Sequence, residues 1–177
     1  MMTKQALKIV ISGPVGAGKT SLITTLTDAY CISTEARSSE QIGKTHTTVG
    51  LDFGVLQIGG QTIHLCGTPG QARFDFMWDI LCQGTLGLVL MVAANRPQDF
   101  PHARRILEFI TSRKPLPFVI GVTKSELEDA WQTEDVAAYF ELEMNQVIAL
   151  NATQLAGSRA VIASLLRLLQ TVSPVEA

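Results

Sequence analysis

Apolar residues fall in short blocks along the chain, each closed by a polar or glycine-bearing turn and followed by a stretch of helical period. "ALKIVISG" (Ala6 to Gly13) is an apolar run ending in glycine, the pattern of a buried strand. Leu22, Ile23 and Leu26 then share one side of a helix predicted from Lys19 to about Ala29. Cys31 to His46 is polar and without period, so it reads as a long irregular segment, a kind that is usually functional in a compact domain. "TVGLDFGVLQI" alternates, which places Val49, Leu51, Phe53 and Val55 on one face and turns Asp52 away from it as an exposed sheet residue. Gly59-Gly60 predicts a tight turn into "QTIHLCGT", so these two strands should pair as a hairpin.

Leu86 to Ala94 and Leu116 to Thr123 are continuous apolar runs, as central parallel strands require, and Asn145 to Thr153 carries a shorter third. Helices are expected over Pro101 to Arg113, Glu134 to Phe140 and Ser158 to Val172, the last with Val161, Leu165, Leu168 and Leu169 at helical spacing. Strands alternating with helices predict a three-layer α/β fold with right-handed crossovers. The 177 residues suit one domain, 1–177, with 173–177 a frayed tail.

Composition narrows the partners. A net charge of −2 and the absence of any Lys/Arg run argue against nucleic acid. The apolar run from Leu86 to Ala94 is about half of a membrane crossing, and the N-terminus shows no signal-peptide cleavage site, so a cytoplasmic protein without a transmembrane segment is expected. Cys31, Cys66 and Cys82 form no CxxC and read as buried free thiols, with zinc a remote second; His46, His64 and His102 are scattered.

The chemistry starts at Gly13-Pro14-Val15-Gly16-Ala17-Gly18-Lys19-Thr20, a full GxxxxGK[ST] motif running into Ser21, with a strand before it and a helix after it. Such a loop turns its backbone N–H groups onto a phosphate, and the helix adds the positive end of its dipole. Lys19 is placed at the β- and γ-phosphates, and the Thr20 hydroxyl at Mg²⁺.

Further along, "HTTVGLDFG", "GTPGQARF", "VTKSE" and "LNAT" follow in an order that resembles the Ras-like small GTPases, more specifically the bacterial MglA-like branch with its TPGQ second switch. The resemblance covers nearly the whole chain. It implies a P-loop NTPase G-domain: a six-stranded, mostly parallel sheet with one antiparallel edge hairpin and five helices. It implies that Thr48, or its neighbour Thr47, binds Mg²⁺ and senses the γ-phosphate, that the Gly70 N–H meets that phosphate, and that Gln71 orients the attacking water. Thr123 and Lys124 fall in the guanine-reading segment, Glu126 stands where an aspartate is usual, and the Ala152 N–H is the candidate donor to guanine O6. Gly67 replaces the aspartate that Ras-like proteins use to hold Mg²⁺ in its outer shell, which leaves the metal to Thr20, Thr48, phosphate oxygens and water; Asp52 is a candidate substitute, with an exposed sheet aspartate the preferred reading.

Arg37, in the first-switch segment, is a candidate arginine finger or plain surface. Arg73 is a candidate contact to a partner or to the first switch. Phe53, Phe74 and Trp78 resemble the apolar triad presented to effectors, or else are core packing under the switches. The resemblance makes a Roadblock-type regulator a candidate partner. The leading reading is a GTP/GDP switch with slow, partner-stimulated hydrolysis. The second is a hydrolysis-deficient nucleotide-binding scaffold acting as an interaction module. A small-molecule kinase ranks third, because no Arg-rich lid exists between Leu116 and Thr153.

Overall fold

The computed structural model describes residues 5–27, 30–37, 46–70 and 78–172, with the backbone course alone for 30–37 and 46–51. In chain order the elements are β1 (Leu7–Ser12), α1 (Lys19–Leu26), β2 (Tyr30–Arg37), β3 (His46–Ile58), β4 (Gln61–Gly67), α2 (Trp78–Leu81), β5 (Gly87–Ala93), α3 (Phe100–Arg113), β6 (Phe118–Thr123), α4 (Thr133–Phe140), β7 (Val147–Ala149) and α5 (Leu155–Val172). They build one sheet in the order β2-β3-β4-β1-β5-β6-β7. β1 runs parallel between β4 and β5, and β6 and β7 continue the parallel set. β5 is buried along its whole length, as its unbroken apolar run requires of a strand covered on both faces.

α1 and α5 cover one face, where Leu22, Ile23, Val161, Ile162 and Leu165 meet Ile9, Ile11, Val89 and Met91. α2, α3 and α4 cover the other, with Phe100, Ile106 and Val136 against Val10, Leu90 and Val122. α5 has 18 residues with a mean hydropathy of 1.2, long and apolar enough by those measures to cross a membrane. Its Val161, Ile162 and Leu165 are nevertheless fully buried against the sheet, as in a core helix.

The sheet departs from the expected six strands by one. β2, which from Cys31 onward falls in the segment expected to be irregular, pairs antiparallel with β3 from Tyr30 opposite Phe53 to Arg37 opposite His46. An edge strand draws its hydrogen bonds from a single neighbour, so a polar sequence with a few β-branched residues suffices. The β3–β4 hairpin is as expected. Gly59 and Gly60 have φ of 56° and 74°, the conformation of a two-residue turn that sets Ile58 opposite Gln61.

The buried face of β3 is opposite to the expected one. Leu56 is 8% exposed and joins the α1–α5 core, whereas Val55 is 44% exposed and Phe53 is half-buried against His64. Of the two readings open for Trp78 the structure takes the second: at 1% exposure it is core packing and no surface anchor for an effector. Its ring packs edge-on against Phe109, with centroids 5.1 Å apart.

Candidate functional site

β1 delivers the chain to Gly13, which has a φ of 143° and lies so close to β5 that a Cβ would sit 2.1 Å from the Met91 carbonyl oxygen. No side chain fits there, and the loop up to Gly18 bends back over the start of α1. Lys19 lies half-buried inside that loop, its Nζ donating to the carbonyls of Gly13 and Pro14 at 2.7 Å each. Burial lowers its pKa from 10.5 to about 8, and the carboxylate of Asp52 works in the opposite direction. A half-desolvated ammonium held by neutral carbonyls, at the N-terminus of a helix, is built to exchange those carbonyls for an anion. Ala17 is buried under the loop, Val15 is exposed and Ser21 is half-buried on α1.

The end of β4 is fastened to this loop. Ser12 Oγ and Thr68 Oγ1 share a buried hydrogen bond of 2.6 Å, and Thr68 N–H donates to Ile11 O. Two residues on, Gly70 lies against the loop so closely that a Cβ would be 2.7 Å from both Lys19 Nζ and Val15 N. The Gly70 carbonyl is 3.0 Å from Nε2 of His102 on α3. Sequence reasoning passed over His102 because a scattered histidine carries no motif.

The third and fourth segments close in from β6 and β7. Thr123 Oγ1 donates to Ala17 O at 2.9 Å, and Lys124, in the left-handed region with φ 60°, donates from Nζ to Gly16 O at 3.2 Å. A left-handed lysine costs on the order of 1–3 kcal/mol and is kept where the surroundings hold it. Glu126 is exposed in the turn after β6. Ala152 is buried, and its carbonyl accepts from Thr25 Oγ1 at 2.7 Å and Ser158 Oγ at 3.2 Å. Asn151 Oδ1 takes the Thr153 N–H and hydroxyl, which folds this loop tightly onto the start of α5.

These segments meet outside the carboxyl ends of the parallel strands, the crevice where open α/β sheets bind ligands. A cavity of about 430 Å³ opens beside them, lined by Val15, Gly16, Gly70, His102, Arg105 and Lys124 among others. A larger apolar groove of about 490 Å³ lies between the β3–β4 turn and the end of α5, among Leu7, Ile58 and Leu169, none of them a predicted site residue.

At the start of α1 the Thr20 hydroxyl donates to Asp52 Oδ2 at 2.5 Å. The expectation that Asp52 is a solvated sheet residue is therefore overturned: it lies on the Leu56 face of β3, half-buried, against α1. Thr48 lies in β3 with its backbone opposite Glu35, and Arg37 ends β2; the side chains of both are outside the described set. Gln71, Arg73 and Phe74 lie outside the described residues. Among those described, no group of three or more His, Cys, Asp or Glu side chains gathers to hold a metal. Cys66 and Cys82 are free and half-buried, and burial raises both thiol pKa values, as expected of inert structural cysteines.

A phosphate loop between β1 and α1, a glycine from the end of β4 resting on it and two loops from β6 and β7 beside it make up the G-domain fold of small GTPases. The chain belongs to the family described as conserved hypothetical ATP binding protein, whose model matches residues 30–176 and so begins beyond the phosphate loop. An uncharacterized protein of Methanocaldococcus jannaschii is 30% identical over 131 residues, 72% of this chain and 76% of that protein. ADP-ribosylation factor-like protein 8c of Arabidopsis thaliana is 27% identical over 79% of this chain and 72% of its own length. The fold matches that of the Arl6 BBS3 small GTPase of Trypanosoma brucei, solved with the nucleotide analogue GppNp, at a TM-score of 0.72 and 14% identity over 96% of this chain and all of that one.

Proposed function

We propose that the protein is a single-domain, GTP-binding switch that hydrolyses GTP slowly and passes its nucleotide state to a protein partner. One observation carries the reading: Lys19, Gly70, Thr123 and Lys124, from three separate segments, converge on the Gly13–Gly18 loop. Lys19, with the N–H groups of Gly13, of Val15 to Thr20 and of Ser21, takes the phosphates; the Gly70 N–H meets the terminal one. Mg²⁺, held by Thr20 and Thr48, supplies positive charge that offsets the phosphate oxygens, and the hard oxygen donors on α1 suit it. Gln71, one residue past Gly70, orients the water, and the preformed charge of Lys19 lowers the cost of the transition state.

The base is guanine, because the Glu126 carboxylate accepts from its N1 and N2 while the Ala152 N–H donates to its O6. The family description names ATP, so the nucleotide is the point to measure. Competition of GTP and ATP against a fluorescent GDP, with phosphate release followed in parallel, decides it. GTP preferred and hydrolysed supports the switch, whereas equal affinities remove the guanine assignment. Binding without phosphate release gives the second reading, a hydrolysis-deficient scaffold, for which Gly67 and Glu126 speak. The MglA-like placement, and with it a Roadblock-type regulator and a bacterial cytoplasmic setting, rests on the Thr68 to Gln71 sequence; the relatives named above are from Methanocaldococcus jannaschii and a plant.

A further inference from the structure

Building on the reading that GTP is hydrolysed at the Gly13–Lys19 loop, we propose that the cavity between that loop and α3 is a second anion site, which holds inorganic phosphate while GDP still occupies the loop.

The cavity is cationic. Arg96, Asp99, His102, Arg105 and Lys124 are the ionisable groups on its wall. Asp99 is already neutralised, since Arg96 Nε lies 2.7 Å from Asp99 Oδ2. The Lys124 Nζ donates to a neutral carbonyl, that of Gly16 at 3.2 Å, and among the described residues Arg105 pairs with no carboxylate. Two full positive charges and a histidine thus face one small space in a chain whose net charge is −2. Like charges gathered there repel one another, and an anion among them turns that repulsion into attraction. At about 30 Å³ for each water in the liquid, a volume of about 430 Å³ has room for a phosphate with part of its hydration shell. The guanidinium fork of Arg105 suits phosphate oxygens in particular.

Position gives the source of the ion. Gly70 belongs to both sites: a Cβ there would be 2.7 Å from Lys19 Nζ, yet the residue also lines the cavity. Gly16 lines it too, and a Cβ added to Gly16 meets nothing within 4 Å. Bare backbone therefore separates the two sites at these points, and His102 holds the Gly70 carbonyl from the α3 side at 3.0 Å. Hydrolysis joins a water oxygen to the terminal phosphorus and breaks its bond to the bridging oxygen, which stays on GDP. One water proton remains on the phosphate and the other passes to solvent. The freed dianion is repelled by the charge of GDP and attracted by the cations beyond Gly70.

The experiment titrates inorganic phosphate into the full chain loaded with Mg²⁺ and mant-GDP, at constant ionic strength. Phosphorus NMR line broadening reads phosphate binding, and mant fluorescence reads whether GDP stays bound. Saturable binding without loss of mant-GDP is expected. Arg105→Gln, an exposed substitution on α3, should weaken phosphate about tenfold and leave mant-GDP affinity unchanged, and Arg105→Glu should abolish phosphate binding. Wild-type protein without saturable binding would overturn the proposal. Equal phosphate affinity in wild type and Arg105→Glu would do so too, as the mark of an adventitious ion only. Phosphate that displaces mant-GDP has entered the Gly13–Lys19 loop instead, which also counts against a separate site. Wild-type protein that binds no mant-GDP at all sinks the nucleotide reading first, a result distinct from the others.

Discussion

Lys19 is the residue on which the site's electrostatics turn. Its ammonium is held by two carbonyls and stripped of water, which lowers its pKa to about 8, against a smaller upward pull from Asp52. Polyphosphate favours the charged form, so the pKa in the complex lies above that of the free protein. Between the two values binding takes up a proton, and affinity should fall as pH rises above about 8, by up to about tenfold per unit. The sign for folding is the reverse: the unfolded chain holds the Lys19 proton up to its ordinary pKa, so this group's contribution makes the free protein more stable as pH rises from about 8 to 10.5. GDP titrations from pH 7 to 9 test the first statement. Lys19→Arg, whose guanidinium stays charged throughout, should lose this pH dependence. Lys19→Ala should abolish binding while leaving the melting temperature of the free protein near wild type. A wild-type affinity flat across that range would remove Lys19 as the principal phosphate cation.

β3 shows which parts of an element can be read from a sequence. Its existence and its hairpin with β4 were legible, because Gly59-Gly60 admits few conformations other than a tight turn. Its buried face was misread, because Phe53 and Val55 on one side compete with Leu56 and Ile58 on the other. The signal that resolves the phase lies in the partner strand. The turn sets Leu56 opposite Ile63 and Gly54 opposite Leu65, while His64 falls opposite Val55 and Thr62 opposite Gln57. β4 alternates cleanly between Ile63, Leu65 and the polar Thr62, His64, so the register assigns the even-numbered residues of β3 to the core. That phase carries Asp52 onto α1, which is why the single-strand reading lost it. β2 was missed for a related reason: its order comes from pairing, and its own residues carry little hydrophobic signal. The phase has a direct test. Leu56→Ala should cost about 2–5 kcal/mol as a core truncation, and Val55→Ala about 0.5 kcal/mol or less as a surface one. Urea denaturation of the two variants gives the comparison, and equal losses would contradict the assigned faces.

At the scale of the molecule, the order of motifs was legible because a phosphate loop, two continuous apolar strands and their following loops each carry their own signal. The contacts that join them were not, since each depends on tertiary placement. Chief among these is a path from the phosphate loop to the far face of the sheet. Gly70 rests on Lys19 and Val15, its carbonyl meets His102 on α3, and the His102 ring lies 6.3 Å from the ring of Trp78, buried between α2 and α3. A terminal phosphate that draws the Gly70 N–H toward itself displaces Gly70, and with it the carbonyl of the following peptide, which alters the His102 contact. Trp78 therefore reports the nucleotide state from inside the core, the second of the two roles its sequence position leaves open. Trp131 packs against Phe100 and Tyr139 on the same face, so it belongs in the background. In a Trp131→Phe protein, Trp78 emission should differ between GDP and a non-hydrolysable GTP analogue, and His102→Ala should shrink that difference while both nucleotides still bind. A partner can read the switch only as far as its affinity differs between the two states, so the same pair of nucleotides should also separate the rates of limited proteolysis between Cys31 and Trp78. Identical emission together with identical cleavage in both states would mean that the terminal phosphate moves nothing, and the protein would then act as a static nucleotide-binding scaffold.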